Sequence, residues 1–376
     1  MSEHHDILES LNRRLTLKQK VLAAHESVKQ LLPFIARIAI TLYDPETRVL
    51  KTYLHSSDDN ADPLSNYQAL IDEAPSLKAM LDKGLPRVIN NMVTLENGKH
   101  EHTRRIGRFG YAASYTLPMF SEGDFVGFIF FNSSKPDVLT EPVLAQLDIF
   151  GHMLALMVIN EINSIDTLSA AVKTTGRITH QRDPETGSHL DRMSRYSLLI
   201  ARTLSGKFSL DDDYIQHLFM FAPLHDIGKV VIPDRVLLKP GPLDDEEAVI
   251  MRTHSTRGRE MIDDMIANFG MENIQHIDLL RNIAHYHHEA VNGTGYPAGL
   301  SGSAIPIEAR IVAVADVFDA LTSERPYKKA WSNEDAVNLL EQLAGEKLDR
   351  DCVEALLQNM DEVLRIQSQF SEDIYG

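Results

Sequence analysis

Between His285 and Glu289 the chain places three histidines and a glutamate in five positions, "HYHHE", and a glycine-rich loop, "AVNGTGYPAGL", follows at once. Imidazole nitrogens and carboxylate oxygens together are ligands for divalent cations such as iron, manganese or zinc. The rest of the chain offers partners for them. "LHDIGK" sets His225 beside Asp226, and a carboxylate can bridge two ions. "RDPETGSHLDRM" supplies Glu185 and His189, which share a helical face at i, i+4 if the helix begins early enough. "MRTHSTRGREMI" supplies His254, "HYHHE" supplies His287 and His288, and "ARIVAVADVFDALTS" supplies Asp316 in an apolar setting where an unpaired carboxylate is costly. Cys352 is the only cysteine, which excludes an intrachain disulfide and thiolate clusters and fits a reducing cytoplasm. Any metal must therefore use His, Asp and Glu.

The elements that position these residues follow from local patterns. At 376 residues the chain suits two domains of roughly 150 to 200 residues each. "ARIAITLYDPETRVLKTYLHS" reads as a hairpin around Asp44 and Pro45, and "YAASYTLPMF" pairs with "FVGFIFFNSS" across "SEGD" as a second one. "LSNYQALIDEAPSLKAMLDKG" between them reads as helical, so residues 1–139 are expected to form an α+β domain. His100 and His102 read as part of a solvated charged loop.

From 140 to 182 apolar residues at Val143, Leu147, Phe150, Leu154, Met157, Ile162, Ile165 and Leu168 define one long helical stripe. This linker helix is expected to pair with its copy in a homodimer; the alternative is a helix packed on its own domains. Residues 183–376 read as an all-α bundle with turn-rich segments at "VVIPDRVLLKPGPLDDEE" and "NGTGYPAGLSGSAIP".

Bulk properties narrow the partners. A net charge of −17 repels the phosphate backbone, so a polymeric nucleic acid is disfavoured. "MSEHHDILES" lacks the pattern of a secretory signal, and the uninterrupted apolar runs are far short of the roughly 20 residues that span a bilayer. The expectation is a soluble cytoplasmic protein without a membrane partner.

Two resemblances follow. The order of elements before the long helix, closing on "GDFVGFIFFNSS", resembles a GAF domain, a small bacterial sensor module, which implies an unknown small ligand between sheet and helices. His189, His225–Asp226 and Asp316 resemble the signature of the HD phosphohydrolase superfamily. Together "HDIGK", "HHE" and "GTGYP" look like its HD-GYP branch, bacterial phosphodiesterases that degrade cyclic di-GMP, over about residues 170–350.

The HD-GYP resemblance implies that His189, His225, Asp226 and Asp316 hold one metal ion, with Asp226 bridging to a second held by His254, His287 and His288. Glu185 matches the position that adds a third ion in some members. Two or three divalent ions are thus implied, iron first and manganese next. Such ions would bring a bridging water to ionise near neutral pH and neutralise the phosphoryl oxygens, for in-line attack that expels the ribose 3′-oxygen.

Lys229, on the face of His225 if the helix continues, is expected to contact the phosphate or deliver a proton. Gly295, Tyr296 and Pro297 of the loop, and Arg325 and Lys328 of "TSERPYKKAW", match substrate-contacting positions. Glycines 293 and 295 are expected to permit backbone angles that a bulkier residue would resist. Glu289 is expected to orient a ligand imidazole, and His180, His217, His276 and His285 match no ligand position. The family usually has aspartate where this chain has Asn292, which puts loop rigidity in question.

The function implied is hydrolysis of cyclic di-GMP to pGpG, and on to GMP in some members, under a GAF-like sensor. The alternatives are an HD hydrolase of another nucleotide and a non-catalytic cyclic di-GMP-binding module.

Overall fold

A computed structural model describes residues 6–58, 63–64, 67–92, 106, 109–178, 187–270, 272, 274–324 and 329–371. The chain divides into two compact units: residues 1–163 with 211–213 and 273–275, and residues 164–210, 214–272 and 276–376.

The first unit is built on a six-stranded antiparallel sheet of order β3-β2-β1-β6-β5-β4. Both expected hairpins form: β1 (Ile35–Asp44) with β2 (Val49–Ser57), and β5 (Ala113–Ser121) with β6 (Asp124–Ser133). One sheet face, through Ile38, Ile40, Leu117 and Phe131, packs on Val21, Ala24 and Val28 of α1 (Leu17–Leu31) and on Leu147, Phe150 and Leu154 of α3 (Glu141–Ile178). A Cβ on Gly151 of α3 would stand 2.6 Å from the Leu117 side chain, so glycine permits this close approach.

The segment expected to be one helix between the hairpins is not. It gives the edge strand β3 (Gln68–Leu70), a 3₁₀ turn (Ile71–Glu73) and then α2 (Pro75–Lys83). Pro75 at the first turn starts the helix there, because its missing N–H costs nothing at that position. A short edge strand β4 (Arg87–Ile89) pairs with β5. His100 and His102 lie outside the described residues.

The long helix of the linker is present as α3, whose Glu141–Thr167 stretch is long and apolar enough to cross a membrane by length and composition, with a mean hydropathy of 1.7 over its most apolar 18 residues. Reading only uninterrupted apolar runs missed this, because isolated charges such as Asp148 and Glu161 break the runs without making the helix polar. About a third of those 18 residues are buried in the structure.

The regular elements among the described residues of the second unit are helices. They comprise α4 (Gly187–Phe208), α5 (Asp212–Phe221), α6 (Asp234–Leu237), α7 (Asp245–Phe269), α8 (Ile277–Tyr286), α9 (Ile307–Thr322), α10 (Asn333–Leu343), α11 (Arg350–Leu357) and α12 (Met360–Gln369). Helix α7 starts at a reciprocal cap: Asp244 accepts from the Glu247 amide and Glu247 from the Asp244 amide, each at 2.9 Å. Helix α8 buries Ile277, Leu280, Ile283 and Ala284, a stripe at steps of three and four. Helix α9 runs through the middle with Ile311, Val312, Val314, Ala315 and Phe318 all buried, which forces its carboxylates to find partners.

Candidate active site

Five segments bring the candidate ligands together. Helix α5 does not continue through the His-Asp pair as the sequence suggested. It gives way to a 3₁₀ turn (Ala222–Leu224), then His225 and Asp226, then a second 3₁₀ turn (Ile227–Val231). Pro223, inside the first turn, has no amide to donate, so the α-helical ladder loses a bond at that point. Lys229 reaches the site nonetheless, through the 3₁₀ spacing, with Nζ 2.6 Å from Asp226 Oδ2.

Gly228 makes that placement possible. A Cβ there would sit 1.9 Å from the His254 carbonyl oxygen and 2.5 Å from the Gly258 amide, so the HDIGK segment can lie against α7 only as glycine.

The imidazoles share one arrangement. His225 Nδ1 donates to Ala222 O at 3.1 Å, His254 Nδ1 to Met251 O at 2.7 Å, and His287 Nδ1 to Ile283 O at 2.9 Å. A carbonyl can only accept, so each Nδ1 carries a proton and each ring, when neutral, presents its lone pair at Nε2. His189 Nδ1 lies 2.7 Å from Asp319 Oδ2 and is fixed in the same sense by a carboxylate. All four rings are at most 3% exposed.

These lone pairs converge in two groups. Asp226, His254, His287 and His288 form one, and His189, His225 and Asp316 the other; within each, ligand atoms lie within 4.8 Å of one another. Asp226 stands between them: its Oδ1 is 3.2 Å from His254 Nε2 and 3.4 Å from His287 Nε2, and its Oδ2 is 3.2 Å from His225 Nε2. Asp316 Oδ1 lies 3.9 Å from both His189 Nε2 and His225 Nε2.

The donor set fits divalent cations. His287 Nε2 and Asp226 Oδ1 are buried acceptors without a hydrogen bond of acceptable geometry, facing each other where a cation would satisfy both. Charge states agree with this. Burial alone would raise the Asp226 carboxyl, but the Lys229 ammonium and the His225 ring more than offset it and hold it well below the usual range. Burial, with smaller effects from the neighbouring histidines, holds His287 below and His288 well below the ordinary imidazole value. An ionised Asp226 beside neutral His287 and His288 is the protonation that ligation needs.

The loop behind His288 closes on the same place. Tyr296 packs its ring 4.8 Å from that of His288 and 6.3 Å from that of His254, and its amide donates to His288 O at 3.2 Å. The Tyr296–Pro297 peptide is cis. Gly293 takes a φ of +79°, as expected, whereas Gly295 is needed for a different reason: a Cβ there would meet the Ala290 amide nitrogen at 2.2 Å.

Glu289 corrects an expectation. It orients no imidazole among the described residues; its Oε1 accepts from the Ala298 and Gly299 amides at 2.7 and 3.1 Å, and its Oε2 from Leu300 at 2.9 Å. Asn292 Oδ1 accepts from the Thr294 amide at 3.0 Å and the Thr294 hydroxyl at 2.6 Å, so the acceptor that shapes the loop is kept although the charge is not. Glu185, Arg325, Lys328 and His180 lie outside the described residues.

Sequence reasoning missed Asp319 and Arg192. Asp319 is fully buried and is gripped by Arg192 through Nε at 2.7 Å and Nη2 at 3.0 Å, while Ser323 donates to it at 2.9 Å. Burial alone would raise its carboxyl; hydrogen bonds from His189 and Arg192 prevail and lower it. The apolar setting that pointed to Asp316 applied equally to Asp319, one turn on.

Residues 180–352 match the family model of the HD domain. This bears out the resemblance drawn from the separated motifs. Among relatives, the chain is 42% identical over 225 residues to the cyclic di-GMP phosphodiesterase response regulator RpfG of Xanthomonas campestris, covering 60% of this chain and 56% of that protein. It is 39% identical over 192 residues to a cyclic di-GMP phosphodiesterase of Thermotoga maritima, covering 51% and 49%. It is 36% identical over 207 residues to 3′3′-cGAMP-specific phosphodiesterase 2 of Vibrio cholerae, covering 55% and 38%. The chain thus spans about half the length of the curated relatives it matches.

The GAF domain of an Acinetobacter phosphoenolpyruvate-protein phosphotransferase is 12% identical, with a TM-score of 0.31, over 41% of this chain and 89% of that one. That score is too low to carry an argument.

Proposed function

We propose that this protein is a metal-dependent phosphodiesterase that opens cyclic di-GMP to pGpG, with GMP as the further product that some such enzymes release. The observation that supports this best is the pair of ligand groups joined through Asp226 beside the Tyr296 loop, in a chain whose HD part is similar to proteins named cyclic di-GMP phosphodiesterases.

The metal assignment is the family's: His189, His225, Asp226 and Asp316 hold one ion, and Asp226, His254, His287 and His288 the second. Iron is the proposed metal, with manganese able to replace it, because His-rich, carboxylate-bridged sites suit both. Glu185 is proposed to serve a third ion. When bound, the ions supply Lewis acidity and activate a water for attack on phosphorus.

The chain's own residues do the rest. The carbonyls of Ala222, Met251 and Ile283 hold three imidazoles with Nε2 toward the site, so these three need not reorient. Lys229, next to Asp226, is the proton donor or phosphate contact on the leaving side. Gly295, Tyr296 and Pro297 are proposed to contact the substrate, and Arg325 and Lys328 to meet a phosphate or a guanine edge of it.

The N-terminal α+β unit is proposed to be a GAF-like sensor for a small ligand. The chain is proposed to dimerise along α3, where Ile149 and Leu156, seven residues apart, are 72% and 69% exposed. Light scattering on an Ile149→Glu, Leu156→Glu protein tests this, and an unchanged dimer would refute it.

The activity is tested by anaerobic purification, elemental analysis and hydrolysis of cyclic di-GMP. The wild-type chain should carry at least two ions and release pGpG, and Asp226→Ala should lose both metal and turnover. Full activity in Asp226→Ala would sink the mechanism. The likeness to a 3′3′-cGAMP-specific phosphodiesterase supports a second reading, hydrolysis of a different cyclic dinucleotide. Comparing kcat/KM for cyclic di-GMP and 3′3′-cGAMP decides between them.

A further inference from the structure

Helix α7 carries three arginines, and two of them are neutralised locally. Arg257 Nη1 lies 2.8 Å from Glu260, and Arg259 Nε 3.3 Å from Asp263. The third, Arg252, is exposed, and no carboxylate among the described residues pairs with it, although the chain has 54 acidic residues against 37 basic ones. An unpaired arginine on so acidic a protein stands where an anion is wanted or where nothing is.

Its position favours the first. The Arg252 guanidinium carbon sits 5.6 Å from the centroid of the Tyr296 ring. That ring in turn packs 4.8 Å from His288, so Arg252 stands one aromatic ring outside the candidate metal ligands, two residues before His254 on the same helix. The Tyr296 phenol is near enough to feel the charges of Asp226, Arg252, Lys229 and Asp316. Lys229 is already committed to Asp226. Arg252 is therefore a cation beside this site that no carboxylate among the described residues neutralises.

A cyclic dinucleotide brings two phosphodiesters, and only one can lie on the metal ions during attack. The other keeps its negative charge and must be met outside the metal centre. A guanidinium forms paired hydrogen bonds to phosphate oxygens, and stacking on an aromatic ring limits the orientations it loses on binding. We infer that Arg252, held against Tyr296, binds the phosphodiester that is not being cleaved and so selects dinucleotides over substrates with a single phosphodiester. This rests on the cyclic-dinucleotide phosphodiesterase reading above.

The test compares metal-loaded full-length wild type, Arg252→Ala and Arg252→Lys on cyclic di-GMP and on bis(p-nitrophenyl) phosphate, which has one phosphodiester. With cyclic di-GMP, Arg252→Ala should raise KM about tenfold or more with kcat nearly unchanged, since a charge-assisted hydrogen bond is worth about 1.5–3 kcal/mol. Arg252→Lys should recover part of the loss, and the salt dependence of KM should be shallower in Arg252→Ala. Hydrolysis of bis(p-nitrophenyl) phosphate should not change.

Calorimetric binding of a non-hydrolysable phosphorothioate analogue of cyclic di-GMP should weaken by a similar factor. An unchanged KM and unchanged analogue affinity in Arg252→Ala, with the wild type active, would overturn the inference and leave the functional reading standing. Equal losses on both substrates would also overturn it, since they would mark a structural effect. A wild type that hydrolyses only bis(p-nitrophenyl) phosphate and fails to bind the analogue would overturn the functional reading and this inference with it.

Discussion

His189 Nδ1 and Asp319 Oδ2, 130 residues apart in sequence, are joined by a buried 2.7 Å hydrogen bond between helices α4 and α9. The carboxylate is anchored on its far side by Arg192, so the imidazole is held with Nε2 toward Asp316. Partners of this kind typically contribute about 10–100-fold to metal affinity. Asp319→Asn keeps the size and removes the charge. It should weaken metal binding by about that factor while the circular dichroism stays native, and an unchanged affinity in the folded variant would show that Asp319 does not position His189.

Gly228 should tolerate no side chain. The Cβ of Gly228→Ala would collide with the backbone of His254 and Gly258, which cannot move without displacing α7. Overpacking of this kind costs on the order of 3 kcal/mol. Lower unfolding free energy and reduced metal content together are expected in denaturant titration and elemental analysis. Native values of both would mean that the segment relaxes freely.

Glu289 is 5% exposed and receives three loop amides. Glu289→Gln loses the charge and exchanges one acceptor for a donor, which should cost about 1–3 kcal/mol locally. Hydrogen exchange at Ala298, Gly299 and Leu300 should accelerate, and KM should rise with metal content unchanged. Metal loss without faster exchange would restore the role of orienting an imidazole.

His25 links the stability of the N-terminal unit to pH. It is 3% exposed, its Nε2 donates to Ile35 O at 3.1 Å, and Nδ1 lies 2.7 Å from the Ser56 hydroxyl, which satisfies a neutral ring. Burial, with a smaller contribution from Lys29, pushes its pKa below the ordinary 6.5. The folded state therefore binds fewer protons than the unfolded chain just below 6.5, so stability is complete above that value and falls as the pH drops through it. Protection of the β1 and β2 amides, corrected for intrinsic exchange, should fall between about pH 7 and about pH 5.5 in the wild type and less in His25→Gln. Equal slopes would exclude His25 as the source.

The sequence alone located most of the candidate centre, because metal-ligating chemistry is restricted to few residue types and Cys352 removes thiolates from the choice. It also determined both hairpins, since β-prone runs and turn residues act over a few positions, and the long helix α3, whose period is local. What it could not decide depended on residues far apart. The partner of His189 is chosen by how α4 packs on α9; Glu289 turned to its own loop because Gly295 lets that loop come within contact of its backbone; and the His-Asp pair sits between two 3₁₀ turns because Gly228 fits against α7. Residue type and spacing specify which groups can do chemistry, while close packing between distant elements decides which of them face each other.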